Sequence, residues 1–264
     1  MHTQDTYCKN ETGREAAMSE NYINAEQILP PQLLEQVQKY AAGKLLYVPT
    51  AETEASPWGE STGQRSYYRK RNQMIRNKFH YGVGISKLAE EYFLSQETIK
   101  KIVYNRKEDR NLPFYPSAAS AEQYGRENLL EEWVHTYLLF ERKNKEFSEG
   151  LYREPRYYLG PLAMPLSLYS RSSGPEEHMK WRVHPVVWKE KVALWQQRIR
   201  EQAVLPPLIV GYAGGRLELN CGSPLYEALV REEIRYYPVI LWCSSEADQE
   251  DFRRKYLENM ATLS

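Results

Sequence analysis

"PPLIVGYAGGRLELNCGSPLYEAL", residues 206–229, decides the fold. Two short apolar runs, PPLIVGY and RLELN, flank Ala213-Gly214-Gly215, where glycines accept the positive φ of a tight hairpin. The alternation then stops at a polar turn containing Gly222, and apolar residues at helical spacing begin at Pro224. Ser223 is a good N-cap, and proline suits the first turn of a helix. Strand, glycine turn and helix N-terminus together form the layout that holds a phosphate on backbone N–H groups. No Lys, Arg or His lies within this turn. A bare helix dipole attracts an anion only weakly.

Short strands mixed with helices extend outward from this hairpin. YYLGPLAMPLSLY (157–169) supplies strands broken by prolines, and YYPVILW (236–242) another strand. VVWKEKVALWQQRIREQ (186–202) reads as a helix offering Val187, Val192, Leu194, Trp195 and Ile199 for burial. EADQEDFRRKYLENM (246–260) closes the sequence with an amphipathic helix. Upstream, Leu129, Leu130, Trp133, Val134, Tyr137 and Leu138 imply a well-buried helix that bridges domains or joins an oligomer contact.

The strongest constellation is ISKLAEEYFLSQETIKKIV (85–103). Leu88, Ala89 and Tyr92 share one face of a first helix, Leu94 and Ser95 form a turn, and Ile99, Ile102 and Val103 line the inner face of a second. Ala89 is small where crossing helices approach, and Ser95 can N-cap the second helix. Gln96, Glu97, Lys100 and Lys101 then face outward, residue types that reach base edges and phosphates. The turn position often held by glycine is Phe93, which strains if its φ is positive. YYRKRNQMIRNKF (67–79) packs Met74, Ile75 and Phe79 as a third helix while showing Arg69, Lys70, Arg71 and Arg76. From Gln64 to Lys107 there are 11 basic residues against three acidic ones, although the whole chain balances at 35 of each sign. Any attraction for nucleic acid therefore comes from local segregation of charge.

Cys8, Cys221 and Cys243 are scattered and odd in number, which points to a reducing, cytoplasmic setting without metal. Neither an apolar run long enough to span a membrane nor a signal-peptide core is present.

Residues 22–104 resemble the Mor-type transcription activators. ILPPQLLEQVQKYAAGKLLYVP resembles their dimerisation unit and RNQMIRNKFHYGVGISKLAEEYFLSQETIKKIV their helix-turn-helix. The resemblance implies a homodimer built on the first helix and strand, with recognition helices on duplex DNA. Residues 156–256 resemble the ParB N-terminal/sulfiredoxin-like fold. Its active members follow the hairpin with an acidic residue or glycine and a phosphate-gripping His-Arg pair. Here that pair falls on Pro224 and Leu225, so Asn220, Cys221, Gly222 and Ser223 form a degenerate phosphate loop. Leu225 offers no charge and Pro224 no N–H. In sulfiredoxins the catalytic cysteine directly precedes the pair, a place held here by Ser223. A substitute charge source lies in RSSGPEEHMKWRVH (171–184), where Glu176 or Glu177 could act with His178; the plainer reading is a polar surface loop. His135 and His184 read as structural.

The expected class is α+β: an N-terminal helical helix-turn-helix domain plus a C-terminal mixed α/β ParB/sulfiredoxin-like domain. The expected boundaries are a disordered tail at 1–21, a dimerisation and DNA-binding domain at 22–107, a linker and connector helix at 108–155, and the second domain at 156–264. The expected function is sequence-specific DNA-binding transcriptional regulation by a homodimer, with Arg69, Arg71, Gln96, Glu97, Lys100 and Lys101 on double-stranded DNA. No cofactor, catalytic residue or membrane partner is expected. The alternatives are a nucleotide-dependent kinase or hydrolase targeted to DNA, and a protein-interaction adaptor.

Overall fold

The computed structural model describes residues 25, 29–42, 63–104 and 112–258. The chain divides into two compact units, 1–61 and 62–264. The expected tail at 1–21 and the expected strand KLLYVP (44–49) lie outside the described residues.

In the first unit, helix α1 (Pro31–Ala41) starts with proline at its first position, after Pro30. Leu33, Leu34, Val37 and Tyr40 recur at helical spacing, yet none of its described residues is buried.

The second unit opens with α2 (Gly63–His80), α3 (Ile85–Glu91) and α4 (Gln96–Tyr104). Ile75, Leu88, Ile99 and Ile102 form their common core. Phe79, Ala89 and Val103 pack around it, as the spacing predicts. Met74 is the exception. It turns toward another helix, where the Thr136 hydroxyl lies 3.8 Å from its sulfur.

Next come α5 (Ala118–Arg126), α6 (Leu130–Thr136), a π-helical turn at Tyr137–Glu141 and α7 (Lys145–Tyr152). Ser117 caps α5 and Asn144 caps α7 through their side-chain oxygens. The strands are β1 (Tyr157–Pro165), β2 (Ser170–Arg171), β3 (Ser173–Gly174) and β4 (Trp181–Arg182), followed after α8 (Pro185–Arg200) by β5 (Leu208–Ala213) and β6 (Arg216–Cys221). Helix α9 (Ser223–Arg231) leads to β7 (Tyr236–Cys243), and α10 (Glu246–Phe252) runs into a π-helical turn at Arg253–Glu258.

Five strands make one mixed sheet in the order β1-β7-β5-β6-β2. β5 pairs antiparallel with β6 and parallel with β7, while β1 pairs antiparallel with β7. Ala213 opposes Arg216 across the hairpin, and Gly214 and Gly215 hold φ of 54° and 78°, the two positive angles of a type I′ turn. YYLGPLAMP is a single strand rather than several broken by prolines, because a bulge between Leu159 and Leu162 absorbs Pro161.

Both faces of the sheet are covered. Leu208, Val210, Val239 and Leu241 point to one side, into a core shared with Leu225 and Leu229 of α9 and Phe252 of α10. Ile209 and Ile240 point to the other, against Tyr124, Leu129, Trp133 and Leu138. The stretch read as linker and connector is thus the sheet's second layer, already buried at Phe114. Alternation along β5 and β7 sends neighbouring residues into opposite cores, so an uncovered second face would expose large apolar side chains. In α8, Trp188 and Val192 are buried while Val187 and Leu194 stay exposed, so Trp188 replaces Val187 as the packing residue. This is an α+β chain.

Candidate nucleic-acid interface

The site is built on α4. Ser95 accepts the backbone N–H of Thr98 at 3.1 Å, so the expected cap forms. Ile99 and Ile102 are buried on one side. Gln96, Glu97, Lys100 and Lys101 are exposed on the other. Lys100 and Glu97 form an exposed ion pair at 2.7 Å, which raises the ammonium's pKa and lowers the carboxyl's. Such a pair is weak and opens readily to a phosphate. Phe93 sits at φ 52° in the turn and is 95% exposed, the strained geometry that the sequence makes conditional on a positive angle.

Arg69 and Arg71 depart from the expected outward display. The Arg69 guanidinium donates to the Glu127 carbonyl oxygen at 2.9 Å and pairs with its carboxylate, and Lys70 pairs with Glu131 at 2.8 Å. Arg69 is drawn to the C-terminal end of α5 and Lys70 to the first turn of α6, where these acidic groups neutralise them. Arg71 is half-buried, lies 4.9 Å over the Tyr68 ring and donates to Asn72. Of the six expected DNA-facing residues, four share the exposed face of α4 and two lie back along α2.

A buried polar lattice holds α2 to the second layer. Gln73 donates to Asn77 at 2.9 Å, to the Leu112 carbonyl at 2.9 Å and to the Tyr124 hydroxyl at 3.0 Å. Tyr124 donates to Asn77 at 2.9 Å, and Asn77 donates to Thr136 at 2.8 Å. Next to it, Glu132 and His135 lie on α6, both buried. Burial pushes the Glu132 carboxyl up to about 7, with Lys70 pulling the other way. Burial, helped by Lys78 and Lys70, lowers His135 to about 3. His135 Nδ1 shares a hydrogen bond with Ser148 at 2.8 Å, and its ring stacks on Tyr152. Sequence reading missed this lattice, since Gln73 and Asn77 look like ordinary polar residues of a basic helix.

At the other end of the unit, Gly222 takes φ 106° and itself occupies the N-cap position of α9, displacing Ser223 one place into the helix. A Cβ at Gly222 would stand 2.5 Å from Leu208 Cδ2, a side-chain end that would have to shift, and the positive angle by itself favours glycine. Ser223 is 2% exposed, and Asn220 Oδ1 accepts the Trp242 indole N–H at 2.9 Å. Cys221 is buried, and desolvation raises its thiol pKa despite the opposing pull of Arg142. A protonated, buried thiol is a poor oxidant sensor. Arg142, 79 positions upstream, is an arginine that sequence reading did not place near this turn.

The 171–184 loop is likewise tied down. Arg171 pairs with Glu176 at 2.7 Å, reaches Glu227 of α9 at 3.5 Å and lies 4.9 Å over Trp188. Glu177 and His178 are exposed. His184 caps α8, its Nδ1 accepting the Val186 N–H at 3.3 Å, which is the structural role expected of it. Among the described residues no cluster of three or more His, Cys, Asp or Glu side chains could hold a metal, and no helix is long and apolar enough to cross a membrane.

An α+β chain with an exposed polar helix face is what geometry defines. Over 85 residues, 32% of this chain, the sequence is 44% identical to the uncharacterized protein YraL of Bacillus subtilis (strain 168), 98% of which is covered. The chain belongs to the YraL family. No protein-family model matches it. Among solved structures, sulfiredoxin from Arabidopsis thaliana is similar over 35% of this chain and 92% of that one, with 19% identity and a TM-score of 0.25.

Proposed function

We propose that this protein is a cytoplasmic, sequence-specific DNA-binding regulator in which α3 and α4 form a helix-turn-helix of the Mor type. The observation that carries the reading is the division of α4 into two faces. Ile99 and Ile102 anchor it, while Gln96, Glu97, Lys100 and Lys101 project from the opposite side. That division suits insertion into a major groove, where amide and ammonium groups reach base edges and phosphates. The apolar stripe of α1, on which Leu33 is 45% and Tyr40 86% exposed among the described residues, supports pairing with a second copy. Two copies would read a two-fold site. The turn at Gly222 acts as a packing element, its loop side chains being occupied by internal partners or buried. The second domain serves as a ParB/sulfiredoxin-like scaffold and not as a catalyst.

Selection of bound fragments from random duplex DNA, followed by titration against salt, tests this. The expected outcome is an enriched two-fold motif. In Lys100→Ala/Lys101→Ala, binding should weaken and the slope of log K against log salt should shrink by about 2. Equal retention of all duplexes by this variant and the parent would remove α4 from the interface.

A further inference from the structure

A second cradle of charge lies between α2 and the β1 edge of the sheet. It is a cavity of 580 Å³ lined by Lys70 from α2, Glu131 from α6, Arg156 and Tyr158 from the start of β1, and Gln249 and Arg253 from α10 and the turn after it. Three cations face one carboxylate there. Glu131 is engaged with Lys70 at 2.8 Å and Arg156 with Glu154 at 3.1 Å, so the exposed Arg253 and the remaining N–H groups of the paired cations set the character of the space.

Two of these groups are unusually poised. The Arg156 side chain is only 12% exposed, pairs with Glu154 at 3.1 Å and stacks over Trp242 at 5.5 Å, which together fix its guanidinium. Its buried Nε and the buried Tyr158 hydroxyl have no hydrogen-bond partner among the described residues. Buried donors of this kind are costly unless something accepts from them. The bulge between Leu159 and Leu162 interrupts the β1–β7 ladder where Gly160 borders the cavity, a common arrangement beside binding sites.

We infer that this cradle binds a small phosphate monoester, of sugar-phosphate to nucleotide size. The cations still outnumber the carboxylates paired with them, which favours a group carrying a charge of about −1.5 to −2 at pH 7. Guanidinium forks from two separate elements suit its oxygens. The volume falls within the range of about 300–1,000 Å³ usual for small-molecule sites. The ligand would touch the helix that carries Ser66 and Lys70 as well as the sheet, joining the two parts of the unit.

Isothermal titration of the full chain with inorganic phosphate, ribose 5-phosphate and AMP, with adenosine as the uncharged control, tests the inference without DNA. At least one of the two esters should bind with Kd below about 1 mM and more tightly than inorganic phosphate, and adenosine should not bind. Arg253→Gln, an exposed position, should weaken the ester roughly tenfold or more while leaving the melting temperature unchanged. Lys70→Gln should weaken it too. Failure of both esters to bind, or binding unaltered in both variants, would overturn the assignment. So would a loss of duplex DNA affinity in Arg253→Gln without any ester binding, which would give the cradle to a DNA backbone instead.

Discussion

At the scale of single residues, Phe93 carries a cost that its surroundings do not offset. Its ring is 95% exposed while its backbone holds φ 52°, a conformation that penalises a side chain. Phe93→Gly should therefore raise stability by about 1 kcal/mol, read from urea unfolding. A loss of DNA affinity in the same variant would show what the exposed ring is kept for. Gly222 is the opposite case, since its φ of 106° strains any residue that carries a side chain. The sequence makes both positions legible, one as a missing glycine and the other as a required one. It does not tell that Arg69 folds back onto Glu127, because its partner is 58 positions away and no local pattern links them.

At the scale of elements, α6 places two titratable groups of opposite habit one turn apart. Glu132 in the folded chain keeps a proton up to about 7, whereas unfolded it loses it near 4.5, so its contribution to stability falls as pH rises across that window. His135 when folded stays neutral down to about 3, whereas unfolded it takes a proton near 6.5, so stability falls as pH drops below that value. Between 4.5 and 6.5 the two slopes oppose one another. Glu132→Gln should be more stable than the parent at pH 8 by on the order of 3 kcal/mol, and the gap should close as pH falls toward 4.5. Urea unfolding of both proteins across pH 4.5–8 measures it. Helical periodicity announces that this segment is buried on most sides. It does not say against what, because Leu129, Trp133 and Leu138 would look the same packed on a sheet, a helix or a second chain.

Over the whole molecule, the hydrogen bonds among Gln73, Asn77, Tyr124 and Thr136 make the three-helix unit and the sheet's second layer one body. Residues 62–264 should unfold in one transition, with tryptophan fluorescence and far-ultraviolet circular dichroism coinciding. Asn77→Ala strands buried partners and should cost about 3 kcal/mol. If fluorescence and dichroism separate in that variant, the lattice is what couples the parts. The helical hairpin and the Gly-Gly hairpin can each be read from a few neighbouring residues. Their union cannot, because it depends on polar side chains 47 to 59 positions apart.

The helices covering Ile209, Ile240 and Trp242 also limit how the gene can be dissected. A fragment starting at residue 156 would display that sheet surface to water and should precipitate. An excision that respects the molecule begins before residue 112 and keeps the upstream helices attached.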